Sequence, residues 1–240
     1  SPMLRLRLTR GQLALLSSIT RSDALKRAMI EATPALPPRT VVRVGQRTLR
    51  MGEPLGSGLI GTVCEARCLA TGERFALKRA RASFSTFQEA LRLEVAASQA
   101  LSSLSALRPA RLIAHSPHAL LKELLSGPTL QALLLQGATT RQQREALVEA
   151  LRQVAGIQAR HGFLVDLSPK NLCWQDGWVL VDAGPKTHVT DYSALLSAPA
   201  WEPYVRYFER KGSLSKVGSA PSVLARPVLD SGMAHARAWA

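Results

Sequence analysis

Apolar and polar positions change period several times along this chain. Across residues 4–33, Leu13, Leu15, Leu16, Ile19 and Leu25 predict one or two helices, broken near residues 20–23 where Ser22 or Asp23 can cap the second. Pro34, Pro37 and Pro38 end that segment. Alternation follows: Val42, Val44 and Leu49, spaced by polar residues and Gly45, predict a strand with a turn, or two short strands, over residues 40–55. Residues 62–69 and 74–79 flank Ala70-Thr71-Gly72-Glu73, which predicts an antiparallel hairpin. Helical spacing returns over residues 84–104 through Phe87, Leu91, Val95 and Leu101, and short strands are expected at 112–115 and 120–125.

Beyond Ser126-Gly127-Pro128 the pattern is mainly helical. Thr129 is placed to cap an apolar helix ending at Leu135, and residues 141–160 form an amphipathic helix with Leu147, Leu151, Val154 and Ile157 on one face. Apolar runs at 163–165, 172–174 and 178–181 read as short strands, the last two joined by Gln175-Asp176-Gly177. After residue 185 one helix is predicted, around residues 204–211, followed by a Ser-, Gly- and Ala-containing tail whose composition suits disorder. The fold class is therefore α+β, with a basic helical extension (1–40), a sheet-rich unit with one helix (41–125) and a mainly helical unit (126–240).

Composition narrows the function. No apolar run approaches the roughly 20 residues needed to span a bilayer. Cys64, Cys68 and Cys173 are odd in number and fit neither a zinc set nor a disulfide framework; Cys64 and Cys68, four apart on a strand, share a face and are expected in core or surface packing. The net charge is +14, of which residues 1–50 carry ten basic and two acidic side chains, or +8. So concentrated a charge, with only 5% aromatic residues, argues against a nucleic-acid surface and suits a solvated face, or contact with an acidic partner or a membrane surface.

The candidate chemistry begins at Leu55-Gly56-Ser57-Gly58-Leu59-Ile60-Gly61-Thr62-Val63, which fits G-x-G-x-x-G-x-V. A dinucleotide site would need a helix after the last glycine; here a hairpin follows, so the loop is expected to close over phosphates from above. In Phe75-Ala76-Leu77-Lys78, alternation puts Lys78 on the face of Ala76, beneath that loop. Further on, Asp166-Leu167-Ser168-Pro169-Lys170-Asn171 and Asp182-Ala183-Gly184 gather two acids and an amide at one end of a small sheet.

In that order, over roughly residues 50–185, these elements resemble the protein kinase superfamily. The resemblance implies a bilobal fold with an antiparallel sheet in the first lobe and a truncated helical second lobe. Gly56, Ser57, Gly58, Gly61, Val63 and Ala76 would then surround ATP, with Glu123 and Leu125 in the linker that frames adenine. Lys78 would grip the α- and β-phosphates, held by a helix carboxylate, Glu94 with Glu89 as its rival. Asp166 would accept the proton of the attacking hydroxyl, Lys170 would neutralise the transferring phosphoryl group, and Asn171 and Asp182 would hold magnesium.

The chain departs from the family pattern where Leu164-Val165-Asp166 replaces His-Arg-Asp, where Ser168 stands in place of a lysine, and where Ala183 stands in place of phenylalanine. In these respects it is similar to minimal kinases, among them RIO-like kinases and small bacterial kinase effectors. His161 is expected to be structural, and Trp201, Tyr204, Tyr207 and Phe208 to form core. The reading is a monomeric bacterial Ser/Thr protein kinase acting in the bacterial cytoplasm or, delivered as an effector, on a host-cell protein. A small-molecule kinase of the same fold and a pseudokinase interaction module are the alternatives.

Overall fold

The computed structural model describes residues 37, 39–58, 60–81, 85–161, 165–184, 190–212 and 214. The helices expected over residues 4–33, the strand positions Phe163 and Leu164, the side chain of His161 and the tail beyond residue 214 lie outside the described residues. The architecture is mixed α+β. A six-stranded sheet runs in the order β1-β2-β3-β4-β7-β6 and is antiparallel throughout, from β1 (Val41–Val44), β2 (Arg47–Ser57), β3 (Gly61–Cys68), β4 (Arg74–Ala80), β6 (Leu112–Ser116) and β7 (Ala119–Glu123). Helix α1 (Ser85–Leu101) lies in the sequence between β4 and β6.

Period two decides what each strand of this sheet offers. On β4, Phe75 and Leu77 enter a core with Leu49, Met51, Ala66 and Leu121 on one face. Ala76 and Lys78 turn to the other, where Ala76 and Leu55 pack with Val63, Leu124 and Val181. Of the core and surface placements open to Cys64 and Cys68, the structure takes the core. Burial pushes the Cys64 thiol up to about 11, as it does Cys173, so neither is a nucleophile at neutral pH.

The remaining elements are α2 (Leu130–Leu135), α3 (Arg141–His161), α4 (Thr190–Ser197) and α5 (Trp201–Arg210), with β5 (Leu107–Pro109), β8 (Leu172–Trp174) and β9 (Trp178–Leu180) in a small sheet; a second core forms among them. That core joins Ala97 and Leu101 of α1 to Leu147, Leu151, Val154 and Ile157 of α3, with Trp178, Tyr204 and Phe208. Trp201 and Tyr207 pack against this core only partly buried. Thr129 caps α2, its hydroxyl accepting from the Ala132 N–H at 3.2 Å. Between β7 and α2, Gly127 has no alternative: a Cβ there would lie 1.8 Å from the Trp174 carbonyl oxygen.

Two elements depart from the sequence expectation. Strand β5 pairs in parallel with β9, where only a connection was expected, and α4 forms where the pattern is irregular. Leu107-Arg108-Pro109 is too short to show a period, and its partner lies some seventy residues on, so only tertiary pairing reveals it. Among the described residues no helix is long and apolar enough to cross a membrane.

Candidate active site

Lys78 is the centre of the site. Its ammonium donates to Glu94 Oε2 at 2.7 Å and to Asp182 Oδ2 at 2.9 Å, joining β4, α1 and the segment after β9. Burial alone would pull the Lys78 pKa down, but the Asp182 and Glu94 carboxylates outweigh it and hold the ammonium above its usual range. Burial likewise works against ionised Asp182; Lys78 and Lys122 outweigh it, and the Gly184 N–H bonded to Oδ1 at 2.9 Å adds to them, so the carboxyl sits well below the usual range. The Asp182 side chain remains 43% exposed, so the lysines on one side leave another side open to a ligand. Glu89, the rival for Lys78, instead pairs with Arg92 on the exposed face of α1.

A fourth charge in this cluster was not foreseen. Lys122 on β7 donates to Glu94 Oε1 and to the Val181 carbonyl oxygen at 3.1 Å, and is almost as buried as Glu94. The signal was present in the pairing. Ala76 stands opposite Lys122 and Lys78 opposite Leu120, so the two lysines are diagonal neighbours on one face. Of the two charges inside the run Leu120–Leu125, Lys122 and Glu123, the register assigns Lys122 to the face of Lys78.

The segment from Asp166 to Asn171 is folded by its own polar groups. Asp166 Oδ1 accepts from the Ser168 N–H at 3.0 Å, and Asn171 Nδ2 donates to the Asp166 carbonyl at 3.1 Å. Pro169–Asn171 forms a turn of 3-10 helix with Lys170 exposed on it. The Val181 N–H donates to the Asn171 carbonyl at 2.8 Å, so the β8–β9 hairpin carries Asn171 and Asp182 together. Beneath, the fully buried Tyr204 hydroxyl donates to the Leu167 carbonyl at 2.6 Å. Sequence placed Tyr204 in the core but could not show its hydroxyl gripping this loop.

In the glycine-rich turn, Gly56 pairs with Val63 and Ser57 with Thr62, and the Gly58 N–H donates to the Gly61 carbonyl at 2.8 Å. Gly61 is required by the fold, since a Cβ would lie 2.1 Å from the Arg79 carbonyl oxygen. Gly56 and Gly58 face no such obstacle: a Cβ at Gly56 meets nothing within 4 Å, and at Gly58 only Gly61 O at 3.9 Å. Buried Arg81, missed in the sequence, ties the turn by donating to the Gly58 carbonyl at 2.8 Å and to the Ser57 hydroxyl. In the linker, the Glu123 carboxylate is turned toward Arg108 and the Arg111 N–H, and the buried Leu125 side chain packs with Ala110, Cys173 and Val179. Only the backbone of these two residues is therefore left to frame a ligand.

Among the described residues no group of three or more His, Cys, Asp or Glu can hold a metal ion by itself. Asn171 and Asp182 offer two oxygen donors of the hard kind that magnesium prefers. No family model matches the chain, and no curated protein matches it.

Proposed function

We propose that the protein is an ATP- and magnesium-dependent kinase with a bilobal, protein-kinase-like organisation, transferring the terminal phosphoryl group of ATP to a serine or threonine hydroxyl of a protein. The observation that carries this reading is Lys78 bridging Glu94 and Asp182, with Asp166 and Asn171 hydrogen-bonded into the same corner of the molecule. Lys78 supplies positive charge for phosphate oxygens, and Glu94 fixes its direction. Asn171 and Asp182 would hold magnesium, which would supply positive charge to offset that of the phosphates.

Asp166 accepts the proton of the attacking hydroxyl, and Lys170, exposed on the adjacent turn, offsets the charge of the transferring group. Leu55, Val63 and Ala76 offer an apolar ceiling to a base, with Leu124 and Val181 beside it. The glycines at 56 and 58, which the fold itself does not demand, suit close approach of a phosphate to the backbone. Among the described residues after 126, the helices are occupied in packing a common core, which favours a macromolecular acceptor over a small molecule enclosed in a dedicated insert.

The test is intact mass after incubation with MgATP, beside Asp182→Ala and Lys78→Ala. Phosphoryl addition to the wild type, or to proteins mixed with it, and none with either variant is the expected result. Equal transfer by folded Asp182→Ala would remove the assignment.

A further inference from the structure

We propose that Lys122 is a positioning residue that holds Glu94 and the Val181–Asp182 segment in place while Lys78 and Asp182 turn to nucleotide and cation. The inference rests on the reading of Lys78 and Asp182 given above. Its basis is the charge balance of the cluster. Two ammonium groups, Lys78 and Lys122, face two carboxylates, Glu94 and Asp182, and each oxygen of Glu94 receives one lysine.

A lysine at position 122 is an expensive choice. Its strand neighbours Leu120 and Leu121 are buried and apolar, and a methionine or leucine would fill such a site without the penalty of burying an ammonium. What the lysine adds is a junction of three elements. Its stem rises from β7, and its ammonium binds α1 through Glu94 and the metal-side segment through the Val181 carbonyl. The Val181 peptide is thereby held at both ends, its N–H by Asn171 and its carbonyl by Lys122.

In the structure Lys78 is divided between Glu94 and Asp182. Binding phosphate and cation requires Lys78 and Asp182 to exchange this contact for the ligand. With Lys122 on its other oxygen, Glu94 keeps a counter-ion throughout that exchange. Without Lys122, a single lysine answers two carboxylates and is held more tightly against the ligand's pull. Ala183 is buried in the main core and anchors the segment just after Asp182, and the Lys122 tie to the Val181 carbonyl anchors it just before.

The probe is MgADP, with its dissociation constant measured by calorimetry and the melting temperature of each ligand-free protein recorded alongside. Lys122→Met is expected to weaken MgADP binding about tenfold, a change of about 1.4 kcal/mol. Lys122→Gln, which retains a donor for Val181 and serves if the methionine variant fails to fold, is expected to do the same. Lys122→Arg keeps the charge and is expected to stay within about threefold of wild type. Adding Lys122→Met to Glu94→Gln is expected to weaken binding by less than the sum of the two single changes, since part of what Lys122 does passes through Glu94 and part through Val181.

A lowered melting temperature with unchanged MgADP affinity in Lys122→Met and Lys122→Gln would make Lys122 a stability residue and overturn the inference alone. Additive weakening in the Glu94→Gln background would overturn it too. Failure of the wild type itself to bind MgADP would bring down the nucleotide reading, and this inference with it.

Discussion

Two ion pairs in this molecule share one distance and almost nothing else. Lys78 and Glu94 lie 2.7 Å apart, and so do Arg141 and Glu145 on α3. The first pair is 10% and 1% exposed, the second 87% and 63%. Around the α3 pair, water screens the attraction and solvates whichever partner is left alone. Glu94 is buried away from bulk solvent, so the second lysine is part of the arrangement and loss of any member leaves a charge stranded. Ion-pair geometry is therefore a poor guide to importance here, and burial a good one.

The comparison can be broken most directly at Glu94. Glu94→Ala leaves two buried ammonium groups facing one partly exposed carboxylate, and is expected to remove about 3–5 kcal/mol of stability in urea denaturation. A loss no larger than that of a surface substitution would mean that the carboxylate is not the hub described. Tyr204→Phe sharpens the scale with a buried but neutral bond. It strands the Leu167 carbonyl and is expected to remove about 1–2 kcal/mol, read in the same experiment.

Acid titration separates the charges themselves. Asp182 is held below its usual range in the folded protein, so its contribution is complete above the unfolded value of about 4 and is lost as pH falls through the lower folded value. Lys78 is held above its range, so its contribution is complete below about 10.5 and is lost only as pH rises through the higher folded value. The stability difference between wild type and Asp182→Asn is thus expected to be level from about pH 5 to 9 and to shrink below about pH 4. A difference that declines steadily from pH 7 would contradict this window. The smallest effect is at the other pair: Arg141→Ala should leave the melting temperature unchanged within error at physiological salt.

Sequence made much of this arrangement readable because its elements are local. The β3–β4 hairpin, α1, the Thr129 cap and α3 each declare themselves within a few residues of their own signals, and Lys78, Asp166, Asn171 and Asp182 belong to short motifs. What stayed hidden depends on pairing between distant segments. Lys122 looks like an interruption in an apolar strand until β7 is laid beside β4, and Arg81 looks like a strand end until its guanidinium reaches Ser57. Tyr204 shows the same limit, since helical spacing buries the ring but cannot say which carbonyl meets the hydroxyl. Strand β5 lacks any period and exists through β9 alone.

The 104 residues that separate Lys78 from Asp182 give the cluster a history as well as a geometry. On a ribosome, β4, α1 and β7 emerge early, bringing Lys78, Glu94 and Lys122 within reach while Asp182 is still unmade. At that stage the interior would hold two positive charges against one negative, a surplus that resists closing the early sheet over them. Arrival of the β8–β9 hairpin supplies the missing carboxylate and removes the surplus. A fragment that ends before Asp182 would on this account carry a surplus positive charge that disfavours closing the early sheet.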